Sequence, residues 1–195
     1  MTPIRLFAGF NAILFQLRKG FLFWRKMSLN IKTRRLVIAE FDESMAESVH
    51  QHSLDEDNRR FVPDEVFESV DDARETISML MSLYAKNDAP LVYAVFLSDG
   101  RHIGHVQAIP IAGGWEIGYH VAKPFTGNGY ATEAVEAFLP SIAQRLGIAK
   151  ISGICHADNA ASRRVLEKCG FRLQSEGIGP YHGSEGRICR YVNVL

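Results

Sequence analysis

The sequence predicts a mixed α/β (α+β) domain: a mostly antiparallel central sheet of about seven strands, flanked by about four helices. Three observations carry this. Strand-like and helix-like segments follow in the order strand, two helices, three strands, helix, strand, helix, two strands. The three consecutive strands are joined by short turns, which only antiparallel neighbours allow. A loop with two glycines one residue apart, PFTGNG, then opens the longest helical stretch. That order is neither a doubly wound sheet nor a barrel.

Leu36, Val37, Ile38 and Ala39 make an apolar run within 33–41 that reads as a buried strand. Asp42–Ser44 supplies a helix N-cap signal before Met45, Val49 and His52. The charged stretch from Asp55 to Val70, broken by Pro63, reads as an irregular connection. A helix capped near Ser69 or Asp71 then runs to about Lys86, with Ile77, Leu80, Met81 and Tyr84 on one face. Leu91–Leu97, a Ser-Asp-Gly turn and Ile103–Ile111 form a hairpin, and Gly113-Gly114 leads into the alternating strand Trp115–Val121. The helix from about Gly129 to Leu146 buries Ala134, Val135, Phe138, Leu139 and Ile142, and Pro140 is expected to kink or break it. A strand at 148–155, a short helix capped by Asp158 or Asn159 and ending at Gly170, and a final hairpin of 171–178 with 188–194 complete the chain.

With 195 residues and 47% hydrophobic content the chain suits one domain with a sizeable core. Its 22 basic and 22 acidic residues balance, but Arg5, Arg18, Lys19, Arg25, Lys26, Lys32, Arg34 and Arg35 all precede the first acidic residue, Glu40. The body is therefore acidic, which argues against nucleic-acid binding by the main domain. Cys155, Cys169 and Cys189 are too few and scattered for a disulfide framework or a metal knuckle, and fit a reducing, cytoplasmic setting. Residues 1–29 form a basic, hydrophobic segment in which Arg18 and Lys19 interrupt the apolar run too early for a membrane span. Two readings stay open: a leader outside a functional domain of 30–195, or an amphipathic stretch, residues 1–26, lying on a membrane surface or partner. The sequence leaves monomer and homodimer equally open.

The glycine loop carries the first chemistry. Gly127 and Gly129 remove the Cβ atoms that would block an anion, and the first helical turn offers unpaired N–H groups and the positive end of the helix dipole. An ordinary glycine loop entering a helix has the same short pattern.

The element order with this loop, the opening TRRLVIAEF, and DNAASRRVLEKCGF together resemble the GNAT superfamily of acetyl-CoA-dependent N-acetyltransferases, and within it the RimJ/RimL-like subgroup. The resemblance spans about residues 30–195. It implies a GNAT-type fold, acetyl-CoA as acetyl donor, no metal, and transfer to a primary amine. The acceptor it points to first is a protein N-terminal α-amine of the ribosomal-protein type. An amino acid, polyamine or antibiotic amine is the alternative acceptor, and an acyl-CoA-binding module without catalysis is the alternative class.

The family's pyrophosphate motif falls on Thr126, Gly127, Asn128, Gly129, Tyr130 and Ala131, followed by Thr132; Thr126 stands where Gln or Arg is usual. The family's frequent thiolate-protonating tyrosine is replaced by Leu166, and the resemblance offers Ser162 as the acid and Asn159 as a pantetheine contact, although a plain N-cap and a capping-turn hydroxyl account for the same residues. The resemblance implies that backbone groups of Tyr119, His120 and Val121 would hold the pantetheine arm, and that the strand splays from its neighbour after Val121. Glu116 is the candidate base, with His120 competing and Tyr119 a reserve acid. The acceptor is expected between Arg59, Arg60, Phe61 and the Tyr181-His182 loop, with the arginines binding an acidic acceptor or simply solvating the surface.

Overall fold

The computed structural model describes residues 29–195. The amphipathic segment expected over residues 1–26 lies outside the described residues. Within them one sheet of eight strands runs in the order β1 (Asn30–Lys32), β2 (Leu36–Ala39), β3 (Leu91–Leu97), β4 (His102–Ile111), β5 (Gly114–Val121), β6 (Lys150–His156), β8 (Ser184–Val194), β7 (Arg172–Tyr181). Every neighbouring pair is antiparallel except β5 and β6. The extra strand relative to the expected seven is β1, three residues that fold back on β2.

Among the described residues five α-helices cover the sheet: α1 (Ala46–Ser53), α2 (Glu56–Phe61), α3 (Val70–Leu83), α4 (Tyr130–Leu146) and α5 (Ala160–Lys168). The stretch expected to be irregular between Asp55 and Val70 contains α2, because the Asp55 side chain accepts from the Asn58 N–H at 2.9 Å and caps a short helical turn. Ser69 caps α3, accepting from the Asp72 N–H at 3.1 Å.

The sheet separates two cores. Ala134, Val135, Phe138, Leu139 and Ile142 of α4 pack with Leu166 of α5 against Tyr93, Val95, Val106 and Ile117. On the other face Ala46, Ala73, Ile77 and Leu80 pack against Val92 and Ala94. β3 is buried on both sides, which is why it reads as a continuous apolar run rather than an alternation.

Helix α4 passes through Pro140 without a break. Pro140 and Glu136, four residues earlier, are both exposed, so the carbonyl that loses its partner faces water. No helix among the described residues is long and apolar enough to cross a membrane.

The pairing that matters most is the shortest. β5 joins β6 only through Glu116–Ser152 and Ile117–Gly153, while β4 remains paired to β5 as far as Gly104–Val121. The strands therefore part after Ile117, four residues sooner than the splay expected after Val121, and Gly118–Val121 carry one unpaired backbone edge into a gap. α4, the crossover between these two parallel strands, begins beside that gap.

Candidate active site

A cavity of about 610 Å³ runs through the gap between β5 and β6. Thr126, Gly127, Gly129, Tyr130, Ala131, Thr132, Asn159 and Ser162 line one end, and Phe61, Glu65, Gln107, Glu116, Tyr181 and His182 the other, with Tyr119, His120 and Val121 between.

At the first end Gly127 and Gly129 both have φ of +78°, a region that costs a side-chain-bearing residue about 1 kcal/mol or more. Gly129 is the N-cap of α4 and offers no side-chain cap, leaving the N–H groups of the first turn without an intrahelical acceptor. Asn128 braces the loop from within, donating to the Phe125 and Thr126 carbonyls at 3.1 Å each. The Thr126 hydroxyl donates to the Lys123 carbonyl at 2.9 Å, so the unusual residue of the motif serves the turn.

Two residues whose part the sequence reading missed hold this loop from outside. Arg35, in the turn before β2, donates from Nη1 to the Asn128 carbonyl at 2.9 Å, pairs through Nε with Glu133 at 2.5 Å, and lies 4.7 Å from the centre of the Tyr130 ring. Glu133 also accepts from the Arg35 N–H at 3.0 Å and the Thr33 hydroxyl at 2.6 Å. The signal was present in TRRL, which marked the opening strand but said nothing about which loop that arginine would reach.

Asn159 caps α5, accepting from the Ser162 N–H at 3.0 Å. The Ser162 hydroxyl is 2.9 Å from the Tyr119 hydroxyl, which also lies 2.9 Å from the Ser162 carbonyl. Burial raises the Tyr119 phenol well above its usual range, opposed by the Ser162 hydrogen bond. With one proton donated to the carbonyl, this hydroxyl pair keeps one proton available. Leu166 fills the core over Gly153, where a Cβ would come within 2.7 Å of its Cδ2.

At the far end Glu116 is half-buried on the cavity wall, and burial pushes its carboxyl up to about 7, opposed by His182 and Arg190. Burial also raises Glu65, which sits 3.5 Å from His105 and accepts from Gln107 Nε2 at 3.3 Å. His120 reaches Asp55 at 3.7 Å, and its hydrogen bond leads in holding Asp55 below the usual carboxylate range. His182 and Gly183 form the two-residue turn between β7 and β8, both with positive φ. Burial alone would lower the His182 imidazole, but pairing with Asp64 and the charges of Glu65 and Glu116 outweigh it and raise it.

The expected arginines do not join this end. Arg59 is exposed outside the cavity lining, and Arg60 is exposed at 3.8 Å from Asp158, with its guanidinium over the Phe61 ring. Both stand on the last turn of α2, whose inward residues are Asn58 and Phe61. No group of metal-ligating residues occurs among the described residues.

Comparison with known proteins places this architecture. The family model described as an acetyltransferase (GNAT) domain matches residues 35–172. The chain is 29% identical over 149 residues to the uncharacterized N-acetyltransferase YnaD of Bacillus subtilis, covering 75% of this chain and 84% of that protein. Among solved structures, a GNAT-family acetyltransferase from Bacillus anthracis superposes with a TM-score of 0.74 at 26% identity, covering 85% of this chain and 98% of that one. RimL, a ribosomal L7/L12 alpha-N-protein acetyltransferase in complex with coenzyme A, superposes with a TM-score of 0.73 at 21% identity, covering 86% and 98%. With its β5–β6 gap, its glycine loop and a family match over most of its length, this chain is an acetyltransferase belonging to the GNAT family.

Proposed function

We propose that the chain transfers an acetyl group from acetyl-CoA to a primary amine by direct attack, without a covalent enzyme intermediate. The observation that carries this is the single cavity through the β5–β6 gap, with an anion cradle at one end and a desolvated carboxyl, Glu116, at the other. The residues fit the donor: Gly127 and Gly129 leave room for a pyrophosphate, the first turn of α4 supplies N–H donors, and the free edge of Gly118–Val121 suits an extended amide-bearing arm. The coenzyme A complex of RimL supports the same assignment.

In this reading Glu116, with a pKa near neutrality, takes a proton from the acceptor ammonium, and the freed amine attacks the thioester carbonyl. Unpaired N–H groups of β5 polarise that carbonyl. The Ser162–Tyr119 hydroxyl pair protonates the departing thiolate, Ser162 as donor and Tyr119 behind it. Asn159 orients Ser162 by capping α5.

For the acceptor, the fold shared with RimL supports a protein N-terminal α-amine. A small cationic amine is the second reading, favoured by the carboxyls Asp55, Glu65 and Glu116 on the cavity wall and by the absence of Arg59 and Arg60 from it. The test is thermal melting with acetyl-CoA, then thiol release with N-terminal peptides, polyamines, aminoglycosides and amino acids. A melting shift with peptide turnover supports the first acceptor, and turnover of polyamines alone supports the second. A shift with no turnover makes the chain a binding module, and no shift removes the cofactor assignment.

A further inference from the structure

A second, smaller cavity of about 50 Å³ lies behind the acceptor end, between α1, α3 and β4. Four buried polar atoms on residues lining it find no hydrogen-bond partner: His52 Nδ1, Thr76 Oγ1, His102 Nε2 and Gln107 Oε1. They come from three separate elements and meet in one space, with Phe41, Phe67, Ile77 and Leu80 completing the wall. One unpaired buried polar atom costs about 1–3 kcal/mol, so four on residues that line one cavity call for an occupant that both donates and accepts. A water needs about 10–15 Å³ of such space and two to four polar partners, so the volume admits up to about three waters and the four atoms can anchor one or two of them.

The same cavity adjoins the candidate active site. Asn58, Glu65, Gln107 and His120 line both spaces. At its outer end the half-buried His52 and His102 rings stack with centroids 5.3 Å apart, and His102 Nδ1 lies 3.0 Å from the Ser48 hydroxyl. Acetylation of an ammonium forms one N–C bond, breaks one C–S bond and removes two protons from nitrogen. One proton goes to the thiolate; the other must reach solvent. We propose that this cavity is a bound-water site, and that its waters, held in part by Gln107, conduct that second proton away from the acceptor, with Glu65 and His120 at the inner end and His52 and His102 at the outer.

Charged and titratable groups face this path from each side. Glu65 and Asp55 stand at the active-site end, His105 lies beside Glu65, and burial holds the His52, His102 and His105 rings below their ordinary value, His102 at about 4 and His105 at about 3. Neutral imidazoles of this kind pass a proton by accepting at one nitrogen and donating at the other, without trapping it.

The relay rests on the acetyltransfer reading; the water site does not. A high-resolution crystal structure should show ordered water within hydrogen-bond distance of at least three of the four atoms, and a dry cavity overturns the proposal. Thr76→Val and His102→Ala, each checked for an unchanged melting transition with acetyl-CoA, should lower turnover of whichever amine proves active by roughly tenfold without changing KM for acetyl-CoA. Added imidazole should restore part of the rate of the His102 variant, whose deleted ring it replaces, which a merely structural defect does not allow. Full activity in both variants, or a loss in the His102 variant that imidazole leaves untouched, overturns the relay. Absence of turnover by the unmodified chain with every amine overturns the acetyltransfer reading and the relay with it, while the water positions still decide the site.

Discussion

The two ends of the cavity are built by opposite strategies. The glycine-loop end is almost entirely one continuous segment, 126–132, acting through its backbone, with Asn159 and Ser162 added from the start of α5. The carboxyl end draws Phe61, Glu65, Gln107, Glu116 and Tyr181 from α2, the α2–α3 connection, β4, β5 and β7. An anion cradle requires small residues and a helix start, both local properties. A carboxyl held near neutrality requires removal of water, which no short segment accomplishes by itself.

The sharpest way to break this contrast is at the loop. Gly129→Val places a β-branched residue at φ +78° and fills the approach to α4. Its expected effect is a loss of acetyl-CoA affinity of about 100-fold or more, read as disappearance of the ligand-induced melting shift. Normal binding would show that the loop is not the anion site.

Glu116→Gln should leave acetyl-CoA binding in place and lower kcat by about 100-fold near neutral pH. Because the base must be ionised, the unmodified enzyme should gain rate as pH rises through about 7, and the variant should lose that rise. The stability effect has the opposite sign. Below the ordinary value of 4.5 the carboxyl is protonated in both folded and unfolded chains. Above it the unfolded chain ionises first, so the folded state loses stability until pH passes about 7. Glu116→Gln should therefore gain up to about 3 kcal/mol at about pH 8 and nothing at about pH 4, measured by denaturant unfolding. A variant no more stable at high pH would mean that Glu116 is better solvated than its surroundings indicate.

Smaller effects probe the join between the two ends. Ser162→Ala should reduce kcat about tenfold with acetyl-CoA binding spared, and combining it with Tyr119→Phe should cost less than the product of the two losses, since both hydroxyls serve one proton. Multiplicative losses would separate their roles. Smallest is Arg35→Ala, which releases the Asn128 carbonyl and the half-exposed pair with Glu133. A loss of about threefold in acetyl-CoA affinity and about 0.5–1 kcal/mol in stability is expected from calorimetry and unfolding.

Legibility in the sequence followed the range of the interactions. Periodicity located β3, β4, β5 and α4 closely, and the caps were narrowed to Asp158 or Asn159 and to Ser69 or Asp71, of which the structure uses Asn159 and Ser69, because a cap lies within three residues of its partner. Helix α2 was missed because a six-residue helix with charges on most positions has no apolar stripe to display. Pro140 does not break α4, because its cost depends on whether water reaches the abandoned carbonyl, which local pattern does not reveal. Arg59 and Arg60 were placed near the acceptor by position along the chain, whereas the packing of α2 turned Asn58 and Phe61 inward and left both arginines outside.

By itself the sequence determined the order of the main elements apart from β1 and α2, the glycine loop with its helix, and the resemblance that the family match bears out, because backbone conformation and hydrophobic periodicity are set by neighbours along the chain. Only the tertiary structure decided where β5 leaves β6, that Arg35 reaches the glycine loop, and which carboxyls lose their water. These depend on segments up to about a hundred residues apart meeting in space, and desolvation arises only once they have met.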